Sequence, residues 1–298
     1  MRRLRRSELS TPGSSEKMLA KAARSDADLV FLDLEDSVAP REKAAARSKV
    51  VHALTNLDWK PRTRAVRIND LQSPHAHQDV IQVVEGARDA LHLIILPKAR
   101  SARDVWWVDV LLTQLEERLG LTGRIGLEVL IEEVEGLVNA EEIAAASPRL
   151  EALIFGPGDL AGSQGVPDAS LGGGHYPGDI WHYARSKIIV AARAARIDAI
   201  DGPFPGVTDL DGYRTEARWA AALGYHGKWA IHPSQIEPAN EVFSPNPESV
   251  AWARRVAMAY ERAEQEGQGA ITVDGEMVDA ASMRLLRNVL DKAELIGG

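Results

Sequence analysis

The chain has 298 residues, 45% of them hydrophobic, which is enough for one large α/β barrel or two smaller domains and excludes a disordered or fibrous protein. Lys and Arg number 35 against 43 Asp and Glu, a net charge of −8, and the one basic tract is Arg2, Arg3, Arg5 and Arg6. Nucleic acid is therefore not an expected partner, and the four arginines read as a solvated, frayed end. The absence of cysteine rules out a disulfide framework, a thiolate nucleophile and cysteine-bound zinc or iron–sulfur clusters. No apolar run approaches the ~20 residues of a membrane span, and the start of the chain lacks the apolar core of a secretion signal. A soluble, cytoplasmic protein with no membrane partner is expected.

In chain order, eight short apolar runs that end in polar residues read as strands: Ser7–Thr11, Leu29–Leu34, Ala65–Asn69, Leu91–Pro97, Gly126–Ile131, Ala152–Phe155, Ile197–Ile200 and Gly227–Ile231. Between most of them lies a segment of helical spacing. In DVWWVDVLLTQLEERLG the apolar positions Val105, Val108, Leu112, Leu115 and Leu119 recur at three and four, making one stripe. GDIWHYARSKIIVAARAAR does the same through Ile180, Ala184, Ile188, Ala191 and Ala195. This alternation of strand and helix has no break in composition. It argues for a single parallel TIM (β/α)8 barrel over residues 1–240 rather than an open doubly wound sheet with two domains. Beyond Pro233 the repeat stops. A helix-like stretch opening PESVAWARR, a Gly-rich corner GQGAITVDGEMVDAAS and a last amphipathic helix with Met283, Leu286, Val289 and Ala293 on one side form a C-terminal extension, residues 241–298.

In such a barrel the C-terminal strand ends line the site. Those ends carry Thr11 to Ser14, Glu35 and Asp36, Arg67 and Asn69, Lys98, Glu132, Asp159, Asp201 and His232. Carboxylates directly after a buried run such as FLDLED are costly unless cations neutralise them, and a barrel mouth supplies that setting. Glu132 and Asp159 end consecutive strands; two carboxylates with water and substrate oxygens suit Mg²⁺, although Glu132 equally reads as the start of an acidic helix turn. No HExxH motif or histidine cluster supports zinc. Arg67, charged within AVRIN, reads either as a partner of Asp33 or Glu35 or as a fork of donors for a carboxylate or developing enolate oxygen. Lys98 reads as an ion-pair partner or phosphate contact rather than a Schiff-base lysine, and His232 alone as a hydrogen-bonded structural group. The segment from Gly156 to Gly178 holds eight glycines and reads as a mobile loop over the mouth, without the context of a dinucleotide or P-loop site.

Taken together, TPGS, FLDLEDSVAP, VRIN, LIILPK, EVLIEE, FGPGDLA, DGPF, GKWAIHPSQI and GEMVD occur in one order from about residue 7 to the C-terminus. They resemble the malyl-CoA lyase and citrate lyase β-subunit superfamily of metal-dependent CoA-ester lyases, malyl-CoA lyases most of all. The resemblance implies a TIM barrel with Mg²⁺, or Mn²⁺, held by Glu132 and Asp159, and an Arg67 that contacts substrate and steadies the enolate. It implies that Ser10, Thr11, Lys21, Gly158, Ile231 and His232 touch CoA or the bound acid. It further implies that Asp279, in GEMVD, reaches into the site of a neighbouring subunit, so that a homo-oligomer, a trimer or a hexamer, is required. The expected reaction is reversible cleavage of a 3-hydroxyacyl-CoA (L-malyl-CoA, β-methylmalyl-CoA or citramalyl-CoA) into acetyl-CoA or propionyl-CoA and an α-oxo acid, glyoxylate or pyruvate. Glu35 and Asp36 are expected to hold Arg67, Lys98 or metal-bound water in place. A malyl-CoA thioesterase, a metal-dependent aldolase acting on free hydroxy-oxo acids and a non-catalytic subunit are the rival readings.

Overall fold

The computed structural model describes residues 3–166 and 179–297. All eight expected strands form, with ends shifted by a residue or two: β1 (Ser7–Pro12), β2 (Leu29–Asp33), β3 (Thr63–Arg67), β4 (Leu93–Leu96), β5 (Gly126–Ile131), β6 (Leu150–Phe155), β7 (Asp198–Asp201) and β8 (Gly227–Ala230). They run in sequence order as a closed parallel barrel, β1 pairing with β8 through Glu8 opposite Trp229. The helices are α1 (Glu16–Ala22), α2 (Lys43–Asn56), α3 (Ala76–Ala87), α4 (Ala102–Leu119), α5 (Val134–Val138), α6 (Ala140–Ala144), α7 (Pro157–Gln164), α8 (His182–Ala194), α9 (Leu210–Leu223) and α10 (Ile236–Val242). Val105, Val108, Leu112 and Leu115 of α4 are buried, as the spacing predicts.

Strand residues alternate between the barrel axis and the helices. Leu29, Phe31, Ala65, Leu93, Ile95, Leu130, Ala152, Ile154, Ile200 and Trp229 form the interior cluster, and Val30, Leu32, Val66, Ile94 and Leu153, of the opposite parity, are also fully buried. Burying each of the Val, Leu, Ile and Phe side chains among them contributes roughly 1.5–3 kcal/mol.

Three expectations are corrected in this unit. The N-terminal arginines do not all fray: Arg5 is 2% exposed and pairs with Glu128, Glu151 and Asp198, and Arg6 pairs with Asp28 at 2.8 Å. The buried carboxylate of Glu128 on β5 demands a cation, and Arg5 supplies it at the N-terminal end of the barrel. Asp201 does not reach the mouth. Ile200 points inward, so Asp201 faces the helices, where Arg185 of α8 (2.9 Å) and Lys228 (2.6 Å) neutralise it. The loop expected from Gly156 begins instead as α7, with Pro157 at its first turn; the rest of that expectation, residues 167–178, lies outside the described residues.

Residues Arg5–Asn240 form one compact unit, and the chain from Glu241 onward belongs to a second. The second contains α11 (Pro247–Gln265), an antiparallel pair β9 (Ala270–Val273) and β10 (Glu276–Asp279), and α12 (Ala280–Gly297). Ala253, Val256, Tyr260, Val278, Met283 and Leu286 make its core. The Gly-rich corner is thus a β-hairpin, turned by Asp274 and Gly275 at φ 52° and 85°, the left-handed pair that a two-residue type I′ turn requires.

Candidate active site

The inward parity that places Phe31, Ala65 and Leu130 in the core also directs Asp33, Arg67 and Glu132 toward the axis at the C-terminal end. Arg67 is 7% exposed and is held from below by Asp33, Nε to Oδ1 and Nη2 to Oδ2 both at 2.7 Å, and from the side by Glu35 Oε2 at 3.2 Å. Its guanidinium lies 5.4 Å from the ring of Trp229 and 5.9 Å from that of Phe31. The Trp229 indole N–H is in turn fixed to Glu8 Oε2 at 3.0 Å. Burial works against the charge on Arg67, but Asp33 and Glu35 outweigh it and raise its pKa; burial likewise opposes ionised Asp33, and Arg67 outweighs it and holds that carboxyl below its usual range. Both partners are therefore charged, and the guanidinium is fixed in position.

Around this pair stand the remaining carboxylates. Glu35 is buried and accepts from Lys98 Nζ, whereas Asp36 is exposed and lies 3.4 Å from the same ammonium. Burial, with Asp36 adding to it, pushes Glu35 up to about 7 despite Arg67 and Lys98. Lys43 Nζ binds the carbonyls of Leu34 and Glu35 at 3.1 and 2.9 Å and the side chain of Asn69, and so shapes the turn after β2. Asn69 itself is tied to Asp79 of α3 at 2.6 Å.

Glu132 is 2% exposed, and burial followed by the charge of Asp159 pushes its carboxyl up to about 8. Its Oε1 accepts the backbone N–H of Lys98 at 2.9 Å, an orientation obtained with Lys98 in the left-handed region at φ 51°. Gly156 makes room for the carboxylate: a Cβ there would lie 2.7 Å from Glu132 Oε2. Asp159 sits in the first turn of α7, where the helix dipole favours an anion, and its Oδ1 is 3.6 Å from Lys98 Nζ. Among the described residues no group of three or more His, Cys, Asp or Glu is arranged to hold a metal. A pair of carboxylates is the donor set expected for Mg²⁺, which keeps several waters and takes substrate oxygens. The carboxyl groups Glu35, Asp36, Glu132 and Asp159 also outnumber the cations Arg67 and Lys98, and a divalent cation would displace the protons that burial favours on Glu35 and Glu132, so the residues fit one.

Beside the mouth lies a cleft of about 760 Å³ lined by Ser10, Thr11, Lys21, Ile231 and His232, together with Met18 of α1. Gly158 is not among its walls; it stands exposed at the head of α7 next to Asp159. His232 Nδ1 accepts the Ser234 amide at 3.2 Å, which places the ring proton on Nε2. Asp279 belongs to the second unit, where it caps α12: Oδ1 accepts the amides of Ala281 and Ser282, both at 2.9 Å. The backbone and side-chain bonds from Ser282 hold its carboxyl below the usual range.

The structure brings Glu35, Asp36, Arg67, Lys98, Glu132 and Asp159 together at one end of the barrel; sequence reasoning had set them all at strand ends. It missed Trp229 and Phe31 as the floor under Arg67, Lys43 as the clamp on the β2 turn, and the backbone N–H of Lys98 as a ligand of Glu132. The only available signal was the inward parity of Phe31 and Trp229 on strands flanking the arginine.

Comparison with known proteins agrees with this arrangement. The family model described as HpcH/HpaI aldolase/citrate lyase matches residues 6–233. An L-malyl-CoA/beta-methylmalyl-CoA lyase of Cereibacter sphaeroides is 43% identical across 98% of this chain and 95% of its own length. A (3S)-malyl-CoA thioesterase of the same species is 36% identical across 98% and 95%. Among solved structures, protein CitE from Mycobacterium tuberculosis in complex with magnesium, acetoacetate and coenzyme A superposes with a TM-score of 0.76 at 33% identity, covering 97% of each chain. No helix among the described residues is long and apolar enough to cross a membrane. Its eight-stranded barrel, its mouth of paired carboxylates around a fixed arginine and the match over most of its length make this chain a member of the HpcH/HpaI aldolase/citrate lyase family.

Proposed function

We propose that this chain is a divalent-metal-dependent lyase that reversibly cleaves a 3-hydroxyacyl-CoA of the malyl-CoA type into acetyl-CoA and glyoxylate. The observation that carries the reading is the immobilised guanidinium of Arg67, presented at the mouth with Glu132 and Asp159 beside it. The curated relatives named as lyases of L-malyl-CoA and beta-methylmalyl-CoA support the substrate class, and the magnesium of the solved CitE complex supports the cofactor.

In the condensing direction Asp279, kept ionised by its helix-cap bonds, takes a proton from the methyl group of acetyl-CoA. The electron pair moves onto the thioester oxygen as an enolate, whose charge Arg67 offsets from a fixed position, with no reorganisation needed at that moment. The enolate carbon then forms the new bond to the carbonyl carbon of the oxo acid, and the carbonyl oxygen becomes the 3-hydroxyl on gaining a proton from water. Cleavage runs the same steps backwards, with protonated Asp279 returning its proton to the methylene carbon. Glu132 and Asp159 would hold Mg²⁺ or Mn²⁺, which when bound polarises the carbonyl and lowers the pKa of the hydroxyl. Glu35 and Asp36 keep Lys98 and Arg67 apart and oriented. The cleft of Ser10, Thr11, Lys21, Ile231 and His232 receives the CoA portion, and the head of α7 at Gly158 receives the acid. In this reading Asp279 serves a neighbouring subunit's barrel, so the working enzyme is a homo-oligomer.

The test is condensation of acetyl-CoA with glyoxylate or pyruvate in the presence of Mg²⁺, the CoA ester being followed by mass. An ester with glyoxylate establishes the proposed activity, and one with pyruvate alone redirects it to citramalyl-CoA. The relative named as a thioesterase favours one second reading, hydrolysis of malyl-CoA to malate and free CoA. Those products without any condensation would replace the lyase by the thioesterase.

A further inference from the structure

The helix α4 buries Val105, Val108, Leu112 and Leu115 against the barrel, yet its opposite side is not the usual polar face. Trp106 is 60% exposed and Trp107 37% exposed. Directly opposite the buried stripe run Arg103, Val110 and Glu117, spaced by seven, with Trp106, Trp107 and Gln114 flanking them. A seven-residue line of this kind stays aligned with a partner helix crossing at about 20°.

The charges on this helix divide into two classes. Asp104 in the first turn and Arg118 in the last accord with the helix dipole, and both are engaged within the chain: Asp104 Oδ2 accepts the amides of Arg100 and Ser101 at 2.7 and 2.9 Å, and Arg118 pairs with Glu85. Arg103 and Glu117 are reversed, a cation near the N-terminus and an anion near the C-terminus, which the dipole disfavours. Both are exposed, and among the described residues neither makes an ion pair.

We propose that the outward face of α4 is a two-fold interface on which a second copy of this chain packs its own α4 antiparallel. With the two-fold axis at Val110, Arg103 of one copy falls opposite Glu117 of the other, twice by symmetry, and the two misplaced charges on each helix find opposite partners. The line is complementary to itself and to no parallel copy, since parallel packing in register sets Arg103 on Arg103 and Glu117 on Glu117. Trp106 of each copy then covers the stretch between Val110 and Gln114 of the other. An indole buries roughly 150–250 Å², so the exposed fractions of four tryptophans supply up to about half of the ~1,000 Å² that a specific interface needs. Adjacent exposed tryptophans are otherwise costly to leave in water and invite nonspecific association.

The experiment is the solution mass of the full chain by light scattering and sedimentation for the wild type, Arg103→Glu, Glu117→Arg and the double variant. A two-fold contact doubles whatever assembly the rest of the chain builds, so each single variant is expected to halve the mass while its circular dichroism stays that of the wild type. The double variant, which restores opposite charges across the axis, is expected to regain the wild-type mass. Trp106→Lys, which places a cation at the flank, is expected to halve it as well. Masses that are the same for the wild type and both single variants would overturn the proposal and leave this face to another partner or to solvent. So would single variants that halve while the double variant fails to recover, because the charges would then not face one another.

Discussion

Replacing Asp33 by Asn tests whether Arg67 works because it is held still. Asp33 is fully buried and accepts two bonds of 2.7 Å from the guanidinium, besides those from the Glu35 amide at 2.9 Å and the Ser37 amide at 3.1 Å. Removing one member of a buried ion pair costs about 3–5 kcal/mol. Asn retains one acceptor, and Glu35 stays 3.2 Å from Nη1, so the loss should be about 2–3 kcal/mol. At roughly 2–4 °C per kcal/mol for a domain of this size, Tm should fall by roughly 4–12 °C. The catalytic effect is separate. An arginine with half its anchors lost samples positions away from the enolate oxygen, and a displaced stabilising group costs up to about 10²-fold in rate. Steady-state cleavage of malyl-CoA should show kcat reduced by about 10–100-fold. KM should change little, because the cleft assigned to CoA is lined by β1, α1 and the segment after β8. A second assay, exchange of the acetyl-CoA methyl protons with deuterium from solvent, should fall in parallel with kcat. If Tm drops as expected while kcat and exchange remain within twofold of the wild type, immobilisation of Arg67 has no part in catalysis and the mechanism above is wrong.

Glu8 is fully buried and burial raises its carboxyl well above the ordinary 4.5, so the folded protein keeps a proton that the unfolded chain loses. Stability therefore falls as pH rises beyond that value, by up to about 1.4 kcal/mol per pH unit, and Glu8→Gln should lack this slope. Thermal unfolding at successive pH values from about 4.5 upward should show the variant gaining on the wild type, whereas parallel curves throughout would refute a protonated Glu8. Glu132→Gln should lower Mg²⁺ affinity by at least about tenfold in calorimetry, and the metal-free variant should gain on the wild type in Tm as pH rises from 4.5 to about 8, where Glu132 ionises beside Asp159; unchanged affinity would take Glu132 out of the metal site. Arg67→Gln and Asp279→Asn should each abolish cleavage. When the two variants are co-expressed, about a quarter of the sites should recover if the acid comes from a neighbouring subunit, because each site then draws its arginine and its aspartate independently. Recovery of none would confine Asp279 to its own chain.

Much of the barrel was legible because short apolar runs and helical stripes alternate so regularly, and the site followed from the polar groups at the strand ends. Period-two alternation also explains the error at Asp201. Counting by two from Phe31, Ala65 and Leu130 leads inward to Asp33, Arg67 and Glu132, but counting from Ile200 sends Asp201 outward to Arg185 and Lys228. Because both faces of these strands are buried, composition does not display the alternation, and position at a strand end alone misleads. The hairpin of the second unit was within reach: Asp274-Gly275 between two short β-prone runs is a strong two-residue turn signal, hidden by the surrounding glycines. Arg5 had no local signal at all, because what buries it lies far along the chain. The left-handed backbone of Lys98 was equally silent, since a lysine is not the residue type that favours that conformation. Asp279 was found only through the likeness of GEMVD to a known motif; no spacing singles it out.

The seal that Arg5 makes under the barrel also bears on the order in which the protein folds. Arg5 is made well before its partners, Glu128, Glu151 and Asp198 following 123, 146 and 193 positions later, and β1 finds its second neighbour only when β8 has been made. Folding of this unit is therefore strongly nonlocal, and loop-closure entropy must be met before the first strand gains its last partner. During synthesis β1 has an open edge and Arg5 has no counter-ions, so a nascent chain stalled before β8 exposes an unpaired strand and is prone to aggregate. A truncation ahead of Gly227 would reproduce that state permanently, whereas one that keeps β8 lets the barrel close on its own first residues.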